Sequence, residues 1–216
     1  APAQLLRSPS MAWPLAYVYD PFMAGLERKY GARWRRELLE GLEGRVLEIG
    51  AGTGANLAHY PDGVESLVLD EPDRAMRARL ASKLQKSPVA GRAKISDRPV
   101  EAIPPSEGPF DAIVCTLVLC TVPDADRAAR HLRTLLRPGG KLVFLEHVAA
   151  EEDPNARLWQ ERLDPFWRHV AGGCRLNRRT GEVLERAGFT MERLDRELIP
   201  RAPRIIKTMI RGVARS

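Results

Sequence analysis

The sequence predicts an α/β fold of one domain, in which helices cover both faces of a doubly wound, mostly parallel sheet. Apolar runs of strand length alternate along the chain with segments of helical pattern, which is typical of βαβ units. The first run, residues 46–49, leads directly into a loop with three glycines spaced two apart. A later run, residues 110–120, is apolar and largely β-branched, as expected of a strand buried on both faces.

Seven strands are expected in all. They are residues 46–49, 64–69, 93–96, 110–120, 141–147, 189–197 and 205–213. The last two are predicted to form an antiparallel pair. Helices are expected after the glycine loop from Ala55, from Pro72 as the first helical residue, over 124–136 and over 180–187, where Gly188 suits a helix end.

Length and composition exclude several classes of protein. A chain of 216 residues builds one domain with a large core, and no second domain is implied. It contains no run of about 20 apolar residues that could span a membrane. Residues 1–10 lack the apolar core of a signal peptide, so we expect a disordered leader or a cloning remnant, with Met11 as a natural start.

The cysteines and the charge indicate a cytoplasmic protein with a small-molecule partner. Cys115, Cys120 and Cys174 form neither a C-x-x-C pair nor a secreted framework, so reduced thiols and no metal site are expected. The formal charge of +6 comes mostly from arginines on helical segments such as 28–36, interpreted as solvated faces. No basic run is interleaved with aromatics, which argues against nucleic acid. The basic surface leaves contact with an acidic membrane open.

Residues 11–42 are predicted to form an N-terminal helical lid. The segment is rich in aromatics, and Pro14 and Pro21 divide it into two or three short helices. Tyr17 and Tyr19, together with Phe22, are candidates to cover the cofactor pocket and to bind substrate, because water has to be kept from a reacting centre. The alternative is that this segment simply packs on the sheet.

The glycine loop predicts a cofactor cradle. Gly50, Gly52 and Gly54 remove the Cβ atoms that would keep a ligand away, beside backbone N–H groups that point at it. With Ala55, the first two glycines also satisfy the G-x-G-x-x-G/A dinucleotide pattern. Glu48 favours a cationic ligand over a dinucleotide, because burying a carboxylate near the end of an apolar strand is costly without a cationic partner. A cationic amino group on the ligand would be that partner.

Acidic residues also end the second strand. Asp70 and Glu71 lie about 20 residues past the glycine loop, where a carboxylate can accept both ribose hydroxyls of a cofactor. Glu71 is the better candidate, while Asp70 either shares that role or caps the helix that follows. A ribose site of this kind does not distinguish between nucleotide cofactors.

The ends of the fourth and fifth strands supply candidate residues for the side of the site where the substrate binds, here called the acceptor side. Parallel sheets bind ligands outside the carboxyl ends of their strands, so Thr116, Leu117 and Cys120 should face the cofactor or the substrate. A cysteine nucleophile is disfavoured, because free cysteine is among the most buried residue types. His147 ends the fifth strand and is a candidate general base, although it could equally bond to its neighbours.

Several of these motifs resemble class I S-adenosylmethionine-dependent methyltransferases, which have a Rossmann-like sheet. The resemblance rests on E-x-G-x-G-x-G at 48–54, E-P-x-x-x-M at 71–76 and R-P-G-G at 137–140. From residue 44 to the end, the chain is similar to the methyltransferase-like 7 family, the alkyl thiol methyltransferases, and their bacterial relatives. Four blocks carry this likeness: residues 115–120, 146–148, 159–169 and 173–180.

The resemblance implies an activity and further site residues. It implies a methyltransferase domain over 43–216 that methylates small lipophilic thiols and releases S-adenosylhomocysteine. Glu48 would hold the methionine ammonium, directly or through water. Where many relatives have an aspartate that reads adenine, this chain has Pro99, so the Val100 amide with Glu101 or Asp97 is expected there. Mammalian members carry an apolar N-terminal anchor that this sequence lacks.

Other activities stay open at the level of sequence. The same scaffold could methylate oxygen, nitrogen or carbon, as the similar ubiquinone/menaquinone methyltransferases do on quinones. An NAD(P) dehydrogenase is disfavoured by Glu48 and by the lack of a Tyr-x-x-x-Lys pair. A non-catalytic cofactor-binding protein is the third alternative, and the oligomeric state is open.

Overall fold

A computed structural model describes residues 30–200 and 202–216, so the predicted leader and the candidates Tyr17 and Tyr19 lie outside the described residues. The described chain forms a seven-stranded sheet with the order β3-β2-β1-β4-β5-β7-β6. Its strands are β1 (Gly44–Ile49), β2 (Val64–Asp70), β3 (Ala93–Ser96), β4 (Phe110–Thr116), β5 (Leu136–His147), β6 (Thr190–Leu198) and β7 (Thr208–Arg215).

The first five strands run parallel, and β7 is antiparallel to both of its neighbours. The chain moves outward from β1 to β3 on one side, then returns to add β4 beside β1. The order therefore reverses between β1 and β4, which is where doubly wound sheets bind ligands. The predicted fold class, including the antiparallel C-terminal strand, is confirmed.

Helices cover both faces of this sheet. They are α1 (Ala32–Leu39), α2 (Arg74–Leu84), α3 (Ala125–Leu135), α4 (Pro154–Val170) and α5 (Thr180–Arg186), with short 3-10 turns at Ala90–Arg92, Val100–Ala102 and Pro105–Glu107. Successive strand residues point to opposite faces, so Leu47 belongs to the core under α3 and α5. Its neighbour Val46 belongs to the core under α1 and α2.

The first turns and helices after β1 differ from the prediction. Residues 52–59 form successive turns with bonds such as Leu57 N–H to Gly54 O, so no α-helix follows the glycine loop. The next helix is capped by Asp73, whose carboxylate accepts from Ala75 and Met76 N–H. Pro72 thus precedes the cap and is not the first helical residue. The suggestion that Asp70 caps this helix was also wrong.

Three later elements also depart from the sequence pattern. Strand β4 ends at Thr116, before residue 120, because Leu117 adopts a φ of 60° and turns the chain away. Strand β5 begins at Leu136 and includes the turn residues 137–140 as an irregularity in its pairing with β4. Helix α4 was not predicted at all, since Pro165 lies inside it.

Membrane-spanning helices and metal-ligand clusters are both absent from the described residues. Neither 30–200 nor 202–216 contains a helix with the length and apolarity needed to traverse a bilayer. The same residues hold no cluster of three or more potential metal ligands.

The close packing around Gly212 on β7 predicts that a larger residue at this position destabilises the fold. A Cβ at Gly212 would collide with the Arg193 carbonyl oxygen and lie 2.8 Å from Phe144 Cζ. We therefore expect Gly212→Ala to lower the free energy of unfolding by about 2 kcal/mol or more, as overpacking does. Gly91→Ala is the matched control, because its Cβ would meet nothing within 4 Å. Denaturant titration of both variants is the measurement, and equal stabilities would contradict the packing described here.

Candidate active site

The glycine loop follows β1 at the point where the strand order reverses. Gly50, Gly52 and Gly54 all have positive φ values, of 60°, 57° and 83°. Ala51 N–H donates to the Asp70 carbonyl at 3.0 Å, which ties the loop to the end of β2. This backbone conformation requires glycine, so the residue spacing read from the sequence corresponds to a real turn.

The three glycines have different surroundings. A Cβ at Gly50 would collide with Val118, and one at Gly54 would lie 2.6 Å from Leu57 Cδ1. Gly52 differs, because its Cβ would meet only the Gly50 carbonyl oxygen at 3.9 Å. Open space above Gly52 is the room that a ligand lying against the loop would occupy. The loop therefore fits the predicted cradle at this one glycine, whereas packing explains the other two.

Glu48 lies beneath the loop in a polar cluster. It is 2% exposed, and its two carboxylate oxygens accept from Asn56 Nδ2 at 2.8 Å and from the Tyr60 hydroxyl at 2.6 Å. Burial raises the pKa of Glu48 to about 7, while the bonds from Tyr60 and Asn56 oppose the rise. A positive charge placed beside this carboxyl would be stabilised, as the sequence analysis expected.

Arg35 completes this cluster and was missed by the sequence analysis. It reaches in from α1, where its Nη1 donates to Asn56 Oδ1 at 2.8 Å and to Thr116 Oγ1 at 2.9 Å. The interpretation of this helix as a solvated basic face was wrong for Arg35, which is buried. A signal was present, because Arg35 precedes the apolar Leu38 and Leu39 by three and four residues and so shares their face.

The expected ribose carboxylates behave differently from each other. Glu71 binds the loop itself, since its oxygens accept from Gly52 N–H at 2.7 Å and from Asp73 N–H at 2.8 Å. Asp70 is fully buried, and Arg98 Nε lies 3.5 Å from one of its oxygens without a hydrogen bond of good geometry to either oxygen among the described residues. Burial raises the pKa of both carboxyls. Both acids therefore have acceptor capacity left for hydroxyl donors.

The remaining cofactor candidates lie around the same edge. Thr116 ends β4 and accepts from Arg35 and from Asn56 Nδ2, the latter at 3.1 Å. Val100 is buried in a 3-10 turn, and Glu101 beside it is exposed. The structure thus places Thr116 in the polar cluster with Glu48, and Val100 in the turn that follows β3.

A second buried glutamate shapes the acceptor side. Glu146 is fully buried, and its carboxylate accepts three successive backbone N–H groups, from Val118, Leu119 and Cys120, at 2.9–3.0 Å. Burial raises the pKa of Glu146 to about 7, and these three donors oppose the rise. The sequence analysis missed this role, although an acid near the end of an apolar strand is the signal that identified Glu48.

His147 lies next to that glutamate, at the end of β5. Its Nε2 is 3.1 Å from the Ile205 carbonyl oxygen, and its Nδ1 is 3.9 Å from Cys174 Sγ. A carbonyl only accepts hydrogen bonds, so we assign the ring proton to Nε2 and the lone pair to Nδ1. The neighbours that the sequence analysis allowed for are therefore present, and the base role stays a prediction.

Comparison with known proteins places this geometry in a family. A family model described as a methyltransferase domain matches residues 23–194. The chain belongs to the methyltransferase domain family. Thiol S-methyltransferase TMT1B of Homo sapiens is 34% identical over 201 residues, which are 87% of this chain and 82% of that protein. Thiol S-methyltransferase TMT1A of Homo sapiens is 32% identical over 199 residues, 91% of this chain and 81% of that protein.

A solved structure shares the fold. The N-methyltransferase NodS from Bradyrhizobium japonicum WM9, crystallised with S-adenosylhomocysteine, has a TM-score of 0.64 at 19% identity and covers 88% of this chain and 87% of its own. The predicted Rossmann-like methyltransferase fold and the predicted family resemblance are both confirmed. An S-adenosylmethionine-dependent methyltransferase is thereby favoured over the dehydrogenase alternative.

The open side of Gly52 predicts a selective loss of cofactor binding. Gly52→Ala should lower the affinity for S-adenosylhomocysteine by about tenfold or more, because the new Cβ occupies the space above the loop. Gly139→Ala is a matched control, since Gly139 also has a positive φ and open surroundings but belongs to the β5 turn. Isothermal titration of both variants measures this, and equal affinities would show that the cradle lies elsewhere.

Two of the buried glutamates, Glu48 and Glu146, predict part of the pH dependence of stability. Both have a folded-state pKa of about 7, against 4.5 as the ordinary value. At these two sites the folded protein thus binds more protons than the unfolded chain between these values. The two carboxyls should therefore contribute a fall in the free energy of unfolding as the pH rises from about 5 to about 7.5. Each carboxyl contributes at most about 3 kcal/mol to the fall.

Denaturant titrations across this pH range measure the effect. Glu48→Gln removes one of these groups, so its free energy of unfolding should fall less between pH 5 and 7.5 than that of the unsubstituted protein, by at most about 3 kcal/mol. Glu65→Gln is the control, because Glu65 is an exposed strand residue. A pH dependence of Glu48→Gln that equals that of the unsubstituted protein would contradict this account.

Proposed function

We propose that this protein transfers the methyl group of S-adenosylmethionine to the sulfur of a small lipophilic thiol and releases S-adenosylhomocysteine. The observation that carries the proposal is the open glycine cradle over Glu48, in a chain one third identical to thiol S-methyltransferases over most of its length. S-adenosylmethionine supplies an electrophilic methyl group on a sulfonium sulfur. The protein has to orient both reactants and exclude water.

The polar cluster under the loop suits the amino-acid end of this cofactor. Such an end carries one ammonium and one carboxylate. The carboxyl of Glu48 would stabilise the ammonium from below, through Asn56 or through water, and the guanidinium of Arg35 is close enough to Asn56 and Thr116 to attract the carboxylate. Charges of both signs therefore lie within one small buried group.

The other end of the cofactor would lie along the ends of β2 and β3. Glu71, assisted by Asp70, is proposed to accept the ribose hydroxyls with the acceptor capacity that the loop leaves over. The Val100 amide is proposed to read the adenine edge, with Glu101 beside it. Gly52 lies between the two ends, where the cofactor passes closest to the backbone.

The acceptor side is formed by the loop that Glu146 holds. Leu117, partly exposed at the turn, and Cys120 are proposed to contact the acceptor, with Tyr17 and Tyr19 closing over it. A thiol with a pKa near 8.5 is only a few per cent thiolate at neutral pH, but that fraction is a strong nucleophile. His147 would raise the fraction by accepting a proton at Nδ1, the ring nitrogen directed away from the Ile205 carbonyl.

The proposal also includes a cellular compartment. Its three cysteines are all free thiols, as in proteins of the cytoplasm. We therefore place the enzyme there, acting on a small molecule.

Methyl transfer to a panel of acceptors tests the proposal. With isotopically labelled S-adenosylmethionine and mass detection of products, alkyl and aryl thiols should be methylated, while alcohols, amines and quinones of similar shape should not. Cofactor binding without product from any thiol would refute thiol methylation, and a methylated quinone, phenol or amine would assign a different acceptor.

A variant series tests His147 in the same assay. His147→Ala should lower kcat/KM for an alkyl thiol by about tenfold, and by no more than about 30-fold, because about 3% of such a thiol ionises unaided at pH 7. An aryl thiol, already ionised, should be methylated at an unchanged rate. His131→Ala is the control, since His131, on α3, makes a similar contact to the Ile103 carbonyl. An equal loss for both thiols would assign His147 a structural role instead.

A further inference from the structure

Cys174 has no role in the proposed methyl transfer, but it lies beside His147 and next to the segment that carries Cys120. Cys120 belongs to the loop held by Glu146, and Cys174 to the turn after α4. The two segments run side by side, because Arg175 N–H donates to the Cys120 carbonyl at 2.9 Å. Gly173 approaches so closely that a Cβ there would lie 2.9 Å from the Thr121 carbonyl oxygen. The backbone at Cys120 and the backbone at Cys174 are therefore neighbours.

A buried carboxylate holds each of these two segments in place. Helix α4 holds the Cys174 segment through Asp164, which accepts from Leu176 N–H at 2.8 Å. Glu146 holds the other segment through the N–H of Cys120 at 3.0 Å. Neither anchor depends on the thiols themselves. The fold therefore holds the two segments that carry these cysteines next to each other.

The two thiols are not equivalent. Cys120 is 2% exposed, whereas Cys174 is partly exposed and has His147 Nδ1 3.9 Å from its sulfur. Contact with Cys120 and then with His147 lowers the pKa of Cys174 to about 5, against the effect of burial. Contact with Cys174 and burial raise the pKa of Cys120. The more exposed thiol has the lower pKa, and the thiol of the neighbouring segment is shielded, which is the division of roles in dithiols that react with disulfides.

We propose that Cys174 and Cys120 are a redox-active dithiol that reacts with small disulfides, with Cys174 attacking and Cys120 resolving. The Cys174 thiolate attacks one sulfur of the small disulfide, whose S–S bond breaks and releases one thiolate. The proton that Cys174 loses passes to His147 Nδ1, which lies 3.9 Å from its sulfur, and from there to the released thiolate. Cys120 then attacks the Cys174 sulfur and releases the second thiolate, which takes the proton that Cys120 loses. Two protein thiols are thereby oxidised to a disulfide, and the small disulfide is reduced to two thiols.

The product would join two parts of the acceptor side. A bond from Cys120 to Cys174 ties the loop of residues 117–121 to the segment of residues 171–176. The oxidised protein would therefore hold the acceptor side in one fixed arrangement until a thiol reduces it again. This chemistry needs no methyl donor, so its test does not depend on whether the protein methylates thiols.

Oxidised glutathione is the probe for this dithiol. The reduced full-length protein is incubated with it, quenched with a thiol-blocking reagent and digested for peptide mass spectrometry. We expect a crosslink between the peptides of Cys120 and Cys174 that dithiothreitol reverses. Cys120→Ser should stop at a glutathione adduct on Cys174, because the resolving thiol is gone. Cys174→Ser should slow the oxidation of the remaining thiols by about tenfold or more.

Cys115→Ala provides the matched control. Cys115 is also a fully buried cysteine of the same strand and loop region, so its variant should form the same crosslink at the same rate. A glutathione adduct on Cys174 of the unsubstituted protein that never proceeds to Cys120 would overturn the proposal, as would equal oxidation of Cys174→Ser. The crosslink in the unsubstituted protein decides the question even if a serine variant fails to fold.

Discussion

The carboxylate of Glu146 is the interaction on which the acceptor side of this site depends. Three successive N–H groups after β4 have no strand partner, because the chain turns away at Leu117. Buried donors without acceptors are costly, and one carboxylate at the end of β5 satisfies all three. The loop that results carries Cys120 and borders the segment around Cys174, so the geometry of both rests on this single side chain.

Buried carboxyls recur along the whole carboxyl edge of the sheet. Glu48, Asp70, Glu71 and Glu146 are all buried there, and burial raises the pKa of each. Their desolvation makes the edge receptive to cations and hydroxyl donors, which a sulfonium cofactor with an ammonium and a ribose provides. A site of this kind is less stable without its ligand, because the cost of burying the charges is then only partly offset.

Much of the site could be predicted because it depends on local chemistry. Positive φ at Gly52, an acid ending β1 and an acid ending β2 are properties of short stretches, and all were visible as motifs. Arg35 and Glu146 were missed, because their partners lie far away in the chain and only the folded sheet brings them together. Helix α4 was missed for a related reason, since burial of its Gln160 and Asp164 against the strand ends outweighs the local preference of Pro165.

The sequence by itself determined the order of the seven strands, the glycine cradle and the acids at the strand ends, because periodicity and glycine conformation are local properties. Tertiary structure alone decided which polar groups meet. It gave Glu48 its partners Asn56 and Tyr60, and it turned His147 towards Cys174. Those encounters depend on the register between parallel strands and on the path of connecting loops, which no short stretch of residues specifies.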